Sequence, residues 1–272
     1  MRILLAGSTG VIGRRLAPLL TDSGHEVIGL ARTGAPFSVD VLDRDAVTAA
    51  VREARPDVIM HQLTSLSARD LAANSRLRRE GTRNLVDAAL ASGVRRIIAQ
   101  SISWAYGPGA EPATEQTPLD LDAEEPRHTS VAGVAALEEA VREAPEWVVL
   151  RYGTLYGPTT WYARDGAMAQ MAAAGRLAAD ADVSSLLHVQ DAAAAAAAAL
   201  SWPSGAVNIC DDEPAAAASW VPAFCAAVGL PAPAAAEGER RGSARGASNH
   251  YARKHLGWQP QYPSWREGFG TL

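Results

Sequence analysis

Three glycines spaced three residues apart follow the first apolar segment of the chain. Gly7, Gly10 and Gly13 come directly after Arg2–Ala6, and an amphipathic stretch begins at once. In such a pattern the first glycine allows a sharp turn, the second lets an anion reach backbone N–H groups, and the third lets a helix pack against the strand. The helix start offers unpaired N–H donors and the positive end of its dipole. The chemistry expected is binding of a dinucleotide diphosphate by residues Gly7, Ser8, Thr9, Gly10, Val11, Ile12, Gly13 and Arg14.

The end of the second predicted strand indicates which dinucleotide is bound. An acidic residue there binds the ribose 2′-hydroxyl of NAD, whereas an arginine accommodates the 2′-phosphate of NADP. This strand ends in Arg32 and Thr33, and its acidic residue, Glu26, lies at its start. We therefore expect NADPH as the cofactor, with NADH as the alternative.

Two other charged residues near this site have competing interpretations. Arg14 either assists in binding the 2′-phosphate or is an exposed helix arginine. Asp40 and Val41 close the third predicted strand, where the adenine edge would lie. The competing interpretation is that Asp40 only caps the next helix.

Strand and helix patterns alternate through the first half of the chain. Predicted strands span Ile3–Ala6, Glu26–Ala31, Ser38–Val41, Val58–His61, Arg96–Ser101 and Trp147–Arg151, and predicted helices span Arg14–Leu20, Arg44–Glu53, Asp70–Ala91 and Val131–Glu143. Such alternation is typical of a parallel sheet covered by helices on both faces. We predict an α/β fold, a Rossmann-type doubly wound parallel sheet with a smaller C-terminal substrate-binding domain. The predicted cofactor domain is 1–152 and 186–212, and the substrate domain is 153–185 and 213–272.

Composition and charge argue against several classes of function. The net charge is −5 over 272 residues, whereas nucleic-acid binding needs a basic face. The longest apolar tract, Ala192–Leu200, is too short to cross a membrane, and no signal peptide precedes the first predicted strand. Cys210 and Cys225 form no metal-ligand pattern. We expect a cytoplasmic protein with two reduced, buried cysteines, no metal, and neither nucleic acid nor membrane as a partner.

A series of motifs in a fixed order runs through nearly the whole chain. After the glycines come Pro56–Thr64, Gly81–Ala89, Arg95–Ser101, Tyr106–Gly107, Leu150–Pro158, Leu187–Ala193 and the tail Leu256–Phe269. This order resembles the extended short-chain dehydrogenase/reductases, the epimerase/dehydratase-like branch, and especially atypical members from actinobacterial polyketide pathways. The resemblance implies a C-terminal substrate pocket, hydride transfer at nicotinamide C4 and a homodimer. The resemblance also implies six further cofactor-binding residues, which are Gln62, Leu63, Thr64, Tyr152, Gly153 and Thr154.

The catalytic residues that this family usually carries are missing. The resemblance implies a Tyr-x-x-x-Lys pair on the helix after the fifth strand, but Ser130 or Val131 stands at the tyrosine position and Val134 or Ala135 at the lysine position. The usual serine position falls on Ile102, between two serines. These neighbours, Ser101 and Ser103, either donate a hydrogen bond to a substrate carbonyl or only pack at the strand end.

Loss of the tyrosine and lysine favours reduction over oxidation. A positioned proton donor is worth roughly 10²–10⁴-fold, so its loss slows a reductase without forbidding it. We expect reduction of an aromatic, angucyclinone-like polyketide ketone, with the proton coming from water or from a phenol of the substrate. The alternatives are an inactive NADP-sensing protein and a sugar-nucleotide epimerase or dehydratase. The residues expected to contact the substrate are Trp104, Tyr106, Thr129, Ser130, Trp161, Tyr162 and Met168. The competing interpretation is packing in the core for the two tryptophans, Tyr162 and Met168, and a structural role in a turn for Tyr106. For Thr129 and Ser130 the competing interpretation is an N-cap of a helix that begins at Val131.

Overall fold

The computed structural model describes residues 1–66 and 70–272. Its strands are β1 (Arg2–Ala6), β2 (Glu26–Ala31), β3 (Phe37–Ser38), β4 (Val58–His61), β5 (Arg96–Ile102), β6 (Glu146–Tyr152), β7 (Thr154–Tyr156), β8 (Val183–Ser184), β9 (Leu186–His188), β10 (Gly205–Ile209) and β11 (Ala215–Ala216). Its α-helices are α1 (Gly13–Asp22), α2 (Arg44–Ala54), α3 (Leu71–Arg76), α4 (Thr82–Ala91), α5 (Arg127–Val141), α6 (Ala167–Ala173), α7 (Val189–Ala198), α8 (Ala217–Ala227), α9 (His250–His255) and α10 (Trp265–Gly268). A π-helical turn, Leu77–Gly81, separates α3 from α4.

A seven-stranded sheet in the order β10-β6-β5-β4-β1-β2-β3 forms the framework of the fold. Strand β1 pairs in parallel with β2, from Arg2 opposite Glu26 to Ala6 opposite Leu30, and in parallel with β4 on its other side. The strand order therefore reverses beside β1. In open α/β sheets, ligands bind at such a reversal, outside the carboxyl ends of the strands. The predicted Rossmann-type doubly wound sheet is confirmed.

The first compact unit comprises residues 1–101, 119–150 and 193–206. Leu4, Leu30, Ile59 and Val149, on four of its strands, are fully buried. Parallel strands covered on both faces are buried as continuous apolar runs, because helices pack on each side. On one side, Val47 of α2 and Leu85 of α4 complete the same core.

Three element boundaries predicted in this unit are wrong, each for a local reason. The third strand stops at Ser38, because the Asp40 carbonyl accepts the Asp43 N–H at 2.9 Å in a turn that leads into α2. The single helix predicted over 70–91 is interrupted by the π-helical turn. Helix α5 begins at Arg127 rather than Val131, directly after Pro126 at the N-cap.

The second compact unit comprises residues 102–118, 151–192 and 207–272. Its core is aromatic: Tyr156 meets Phe269 edge to face with ring centroids 5.0 Å apart, and Trp265 lies 5.8 Å from the same phenyl ring. The chain end thus packs inside this unit. Asp211, which is 1% exposed, fixes this end by accepting the Trp265 N–H at 2.9 Å. Burial raises the pKa of the Asp211 carboxyl to about 8.

The two units do not divide the chain at the predicted domain bounds. Of the predicted cofactor domain, residues 102–118, 151–152, 186–192 and 207–212 group with the second unit. The assignment of cofactor and substrate binding to the predicted ranges stays a prediction. Within residues 1–66 and 70–272, no helix is long and apolar enough to cross a membrane. The same residues contain no group of three or more His, Cys, Asp or Glu arranged to hold a metal ion. Cys210 and Cys225 are free of disulfides and buried, which confirms that prediction.

Candidate functional site

The turn between β1 and α1 is packed too tightly to accept a side chain at Gly7 or at Gly13. Gly7 has a φ of +93°, and a Cβ there would lie 2.7 Å from the Gln62 carbonyl oxygen. A Cβ on Gly13 would collide with the Gly7 carbonyl oxygen and with the Ser8 Cα. The N-cap residue of α1, Ile12, has no side-chain oxygen to accept a hydrogen bond. The helix start is therefore open to an anion, as the sequence pattern predicts.

A cavity of about 670 Å³ opens beside this turn. Its polar lining residues are Ser8, Thr9, Arg14, Thr21 and Thr33. Among the described residues that line it there is a guanidinium but no carboxylate, which favours a phosphate over an unmodified ribose. Arg14 is thus the arginine of this cavity. Arg32, which we predicted for that role, is exposed and does not belong to the lining.

Replacing Arg14 with leucine should lower the affinity for NADPH about tenfold and leave that for NADH within twofold, because only NADPH carries the 2′-phosphate. Titration of both nucleotides, followed by nicotinamide fluorescence, measures the two affinities. Arg32→Leu is the matched control, since that arginine lies outside the lining. A larger loss of NADPH affinity in Arg32→Leu than in Arg14→Leu would contradict this assignment.

The residues predicted at the adenine edge form the turn before α2. The Asp40 carboxylate accepts the Leu42 N–H at 3.0 Å. Val41 is buried, and a Cβ added to Gly81 would lie 2.6 Å from its Cγ1. The cap of α2 is Asp43, which accepts the Ala46 N–H at 3.0 Å, so the idea that Asp40 caps this helix is wrong.

A buried histidine shapes the loop at the carboxyl end of β4. His61 Nδ1 accepts the Leu63 N–H at 3.2 Å, and Nε2 lies 2.9 Å from the Thr82 hydroxyl. Burial, and then the nearby Arg78, lowers the pKa of His61 to about 4. The imidazole is therefore neutral at pH 7 and orders the predicted cofactor-binding segment Gln62–Thr64. We did not predict a role for His61 from the sequence, although its place at the end of a predicted strand was a signal.

The Ser101 hydroxyl forms a hydrogen bond with another side chain of the first unit. Its hydroxyl donates to Glu138 Oε1 at 2.8 Å, and Glu138 Oε2 lies 3.0 Å from Arg142. Both Ser101 and Glu138 are fully buried. A serine hydroxyl has a single proton, so this geometry does not leave it for a substrate carbonyl. In the second unit Ser103 is 4% exposed, and its N–H donates to the Tyr152 carbonyl at 2.9 Å.

Helix α5 is aliphatic at the positions where the family resemblance implies a tyrosine and a lysine. Val131 and Val134 are fully buried, and Ser130 is 4% exposed. The Thr129 hydroxyl donates to Glu125 at 2.7 Å. Since α5 begins at Arg127, neither Thr129 nor Ser130 is the N-cap, and that alternative is wrong. The part of α5 expected to do acid–base chemistry therefore holds no group that exchanges a proton near pH 7.

In the second unit, the predicted main-chain contacts at 152–154 are already used within the fold. The Gly153 N–H donates to the Ile209 carbonyl at 2.9 Å, and the Thr154 N–H donates to the Ser185 carbonyl at 2.8 Å. The Tyr152 hydroxyl donates to the Ala192 carbonyl at 3.3 Å. These two N–H groups are therefore not left to donate to a carboxamide.

The predicted substrate-contacting aromatics separate into exposed and buried groups. Trp104 and Trp161 are 42% and 37% exposed. Tyr106 is buried, where its hydroxyl donates to Asn208 Oδ1 at 2.6 Å. The Tyr162 ring packs edge to face on Trp220 and Phe224, and Met168 packs on the same core. The two tryptophans are therefore the aromatic side chains of this set that face outward.

Most arginines of the second unit that could hold a sugar-nucleotide diphosphate are engaged elsewhere. Arg240 and Arg245 donate to backbone carbonyls of residues 107–111 and 241–244. Arg241 forms an ion pair with Asp182, and Arg164 donates to the Leu272 carbonyl. The arginines of the Arg240–Arg245 loop thus stabilise the fold of the second unit. Because their donors are used there, they disfavour the sugar-nucleotide epimerase alternative.

Comparison with known proteins agrees with the fold and the glycine turn. The model of the NAD dependent epimerase/dehydratase family matches residues 3–210. The 3-diazoavenalumate denitrifying reductase of a Streptomyces species is 46% identical over 99% of both chains. The dTDP-4-dehydrorhamnose reductase of Streptomyces griseus is 32% identical over 57% of this chain and 50% of its own length.

A solved structure shows the same architecture. UDP-glucose 4-epimerase of Thermus thermophilus, in complex with NAD, is 27% identical with a TM-score of 0.78, covering 100% of this chain and 97% of that one. The resemblance to the epimerase/dehydratase-like branch is thus confirmed over most of the sequence. The chain belongs to the NAD dependent epimerase/dehydratase family.

Proposed function

We propose that this protein is an NADPH-dependent reductase that replaces the diazo group of a small aromatic compound with hydrogen. The observation that carries the proposal is that Val131 and Val134 of α5 are fully buried at positions where the family resemblance implies a tyrosine and a lysine. The diazo substrate class is supported by the Streptomyces reductase, which is 46% identical along its whole length.

The reaction balances without a proton donor from the protein. The carbon–nitrogen bond of an aryl diazonium breaks, and its electron pair leaves with N₂. A hydride, which a bound nicotinamide supplies, brings the electron pair of the new carbon–hydrogen bond. In a hydroxyaryl substrate the product phenolate takes its proton from water. Reduction of a ketone, by contrast, needs a proton at the developing alkoxide, and a positioned donor there is worth roughly 10²–10⁴-fold.

In the proposed reaction, residues of the chain bind and orient the cofactor and the substrate. The glycine turn and the start of α1 hold the diphosphate, and Arg14 pairs with the 2′-phosphate. Val131 and Val134, which are fully buried where the family resemblance implies a tyrosine and a lysine, supply no proton, and this reaction needs none. The exposed indoles of Trp104 and Trp161 offer a stacking surface for a flat aromatic ring.

Reduction of an aromatic ketone is the second candidate. Ser130, on the same helix, favours it, because this nearly buried hydroxyl donates to no other described residue and is free to bind a carbonyl oxygen. The proton would then come from water or from a phenol of the substrate.

The purified protein should consume NADPH with 3-diazoavenalumate at least a hundred times faster than with aromatic ketones of similar size. Absorbance at 340 nm gives the rates, and deuterium from [4-²H]NADPH should appear on the former diazo carbon. Ketones with and without a neighbouring phenol form the comparison panel. NADPH oxidation with ketones alone would establish the second candidate instead. Binding of NADPH without turnover of either class would identify a sensing protein.

A further inference from the structure

A buried arginine, Arg78, lies on the π-helical turn of the first unit and has no partner among residues 1–66 and 70–272. Arg78 is 4% exposed, and its guanidinium donates no hydrogen bond to any described residue. Burial lowers its pKa to about 10, and no carboxylate among the described residues opposes that shift. A cation removed from water is unfavourable unless an anion meets it, so the fold leaves a place for a negative group.

Geometry places Arg78 near the carboxyl end of β4, because Thr82, four residues later on the same helical segment, has its hydroxyl 2.9 Å from His61 Nε2. The Arg78 charge contributes to lowering the pKa of His61, the last residue of that strand. The next residue, Gln62, has its carbonyl oxygen 2.7 Å from the position of a Cβ on Gly7. Arg78 therefore belongs to the same edge of the sheet as the glycine turn.

The helical segment that carries Arg78 faces the aliphatic part of α5. Ser75, one turn earlier, is 1% exposed, and its hydroxyl has no hydrogen-bond partner within the described chain. That hydroxyl lies 2.7 Å from the position of a Cβ on Gly133 of α5. π-helical turns often mark functional sites, because the extra residue redirects side chains. Here the turn presents a buried cation beside the helix that lacks the usual lysine.

We propose that Arg78 is a positioning residue that binds the diphosphate of the dinucleotide held at the glycine turn. A planar guanidinium donates two parallel hydrogen bonds to phosphate oxygens, which suits a diphosphate better than a single ammonium group does. This inference rests on the dinucleotide binding proposed above, but not on the identity of the reduced substrate.

Arg78→Met tests the inference, with Arg79→Met as the matched control. Arg79 is the next residue of the same turn and is exposed. NADPH and 2′-phospho-ADP-ribose, which carry the diphosphate, should bind Arg78→Met at least tenfold more weakly. Binding of 2′,5′-ADP, which lacks the diphosphate bridge, should change less than twofold. The melting temperature of the nucleotide-free protein should not fall, because methionine removes an unpaired buried charge.

Unchanged NADPH affinity in folded Arg78→Met overturns the inference, as does an equal loss for 2′,5′-ADP. A raised KM for the aromatic substrate with unchanged NADPH affinity would assign Arg78 to the substrate instead. If the methionine variant does not fold, Arg78→Lys should fold and bind NADPH with intermediate affinity. Failure of the wild-type protein to bind NADPH would instead reject the dinucleotide proposal itself, so the two failures are distinguishable.

Discussion

Gly13→Ala should weaken dinucleotide binding more than about 100-fold. The added methyl group would meet the Gly7 carbonyl oxygen and the Ser8 Cα, which are backbone atoms and cannot rotate away. Helix α1 would therefore have to move off the turn that holds the diphosphate. We expect an accompanying loss of about 1–3 kcal/mol in the free energy of unfolding, the usual cost of overpacking.

Calorimetric titration with NADPH and urea denaturation measure the two effects of this substitution. Gly205→Ala is the control, because nothing lies within 4 Å of a Cβ at that position in β10. It should bind NADPH as the wild-type protein does. Normal affinity in Gly13→Ala would show that the close approach of α1 to the turn is not needed for binding.

Trp265→Ala should remove about 3–5 kcal/mol from the free energy of unfolding of the second unit, because it empties the largest fully buried side-chain site. The indole packs on Phe269, and its Nε1–H donates to the Glu213 carbonyl at 3.2 Å. The loss of this ring leaves both a cavity and an unpaired carbonyl.

Trp161→Ala is the matched control for that substitution, since the same ring type is 37% exposed there. It should cost less than about 1 kcal/mol. Urea denaturation followed by circular dichroism compares the two variants. Equal stability losses would mean that the C-terminal aromatic residues do not form the core of this unit.

The missing proton relay connects the sequence to the proposed chemistry. For a ketone reductase, the loss of tyrosine and lysine slows the reaction, because the developing alkoxide needs a proton. Replacement of a diazo group makes the same loss harmless, because N₂ leaves with its own electron pair. The fully buried Val131 and Val134 cannot donate a proton, and the proposed step does not require one.

The main elements of the first unit were predictable because their signals are local. An apolar strand, a glycine turn and an amphipathic helix follow one another within residues 2–22, and the structure places β1, the turn and α1 there. The break in the helix predicted over 70–91 was not predictable in this way. A π-helical turn depends on how Ser75 and Arg78 pack against another helix, and helical periodicity does not report that packing.

Residue types and spacing predicted the dinucleotide turn and the doubly wound class of fold, because each depends on neighbours along the chain. The family resemblance added that the usual tyrosine and lysine are missing. Tertiary structure alone decided that Arg14 rather than Arg32 lines the cavity beside the glycine turn. It also decided that Ser101 is committed to Glu138, and that Arg78 is buried without a partner among the described residues. These outcomes depend on which side chains meet across the fold and how much water they lose, and hydrogen bonding and desolvation act only once those distant segments are packed together.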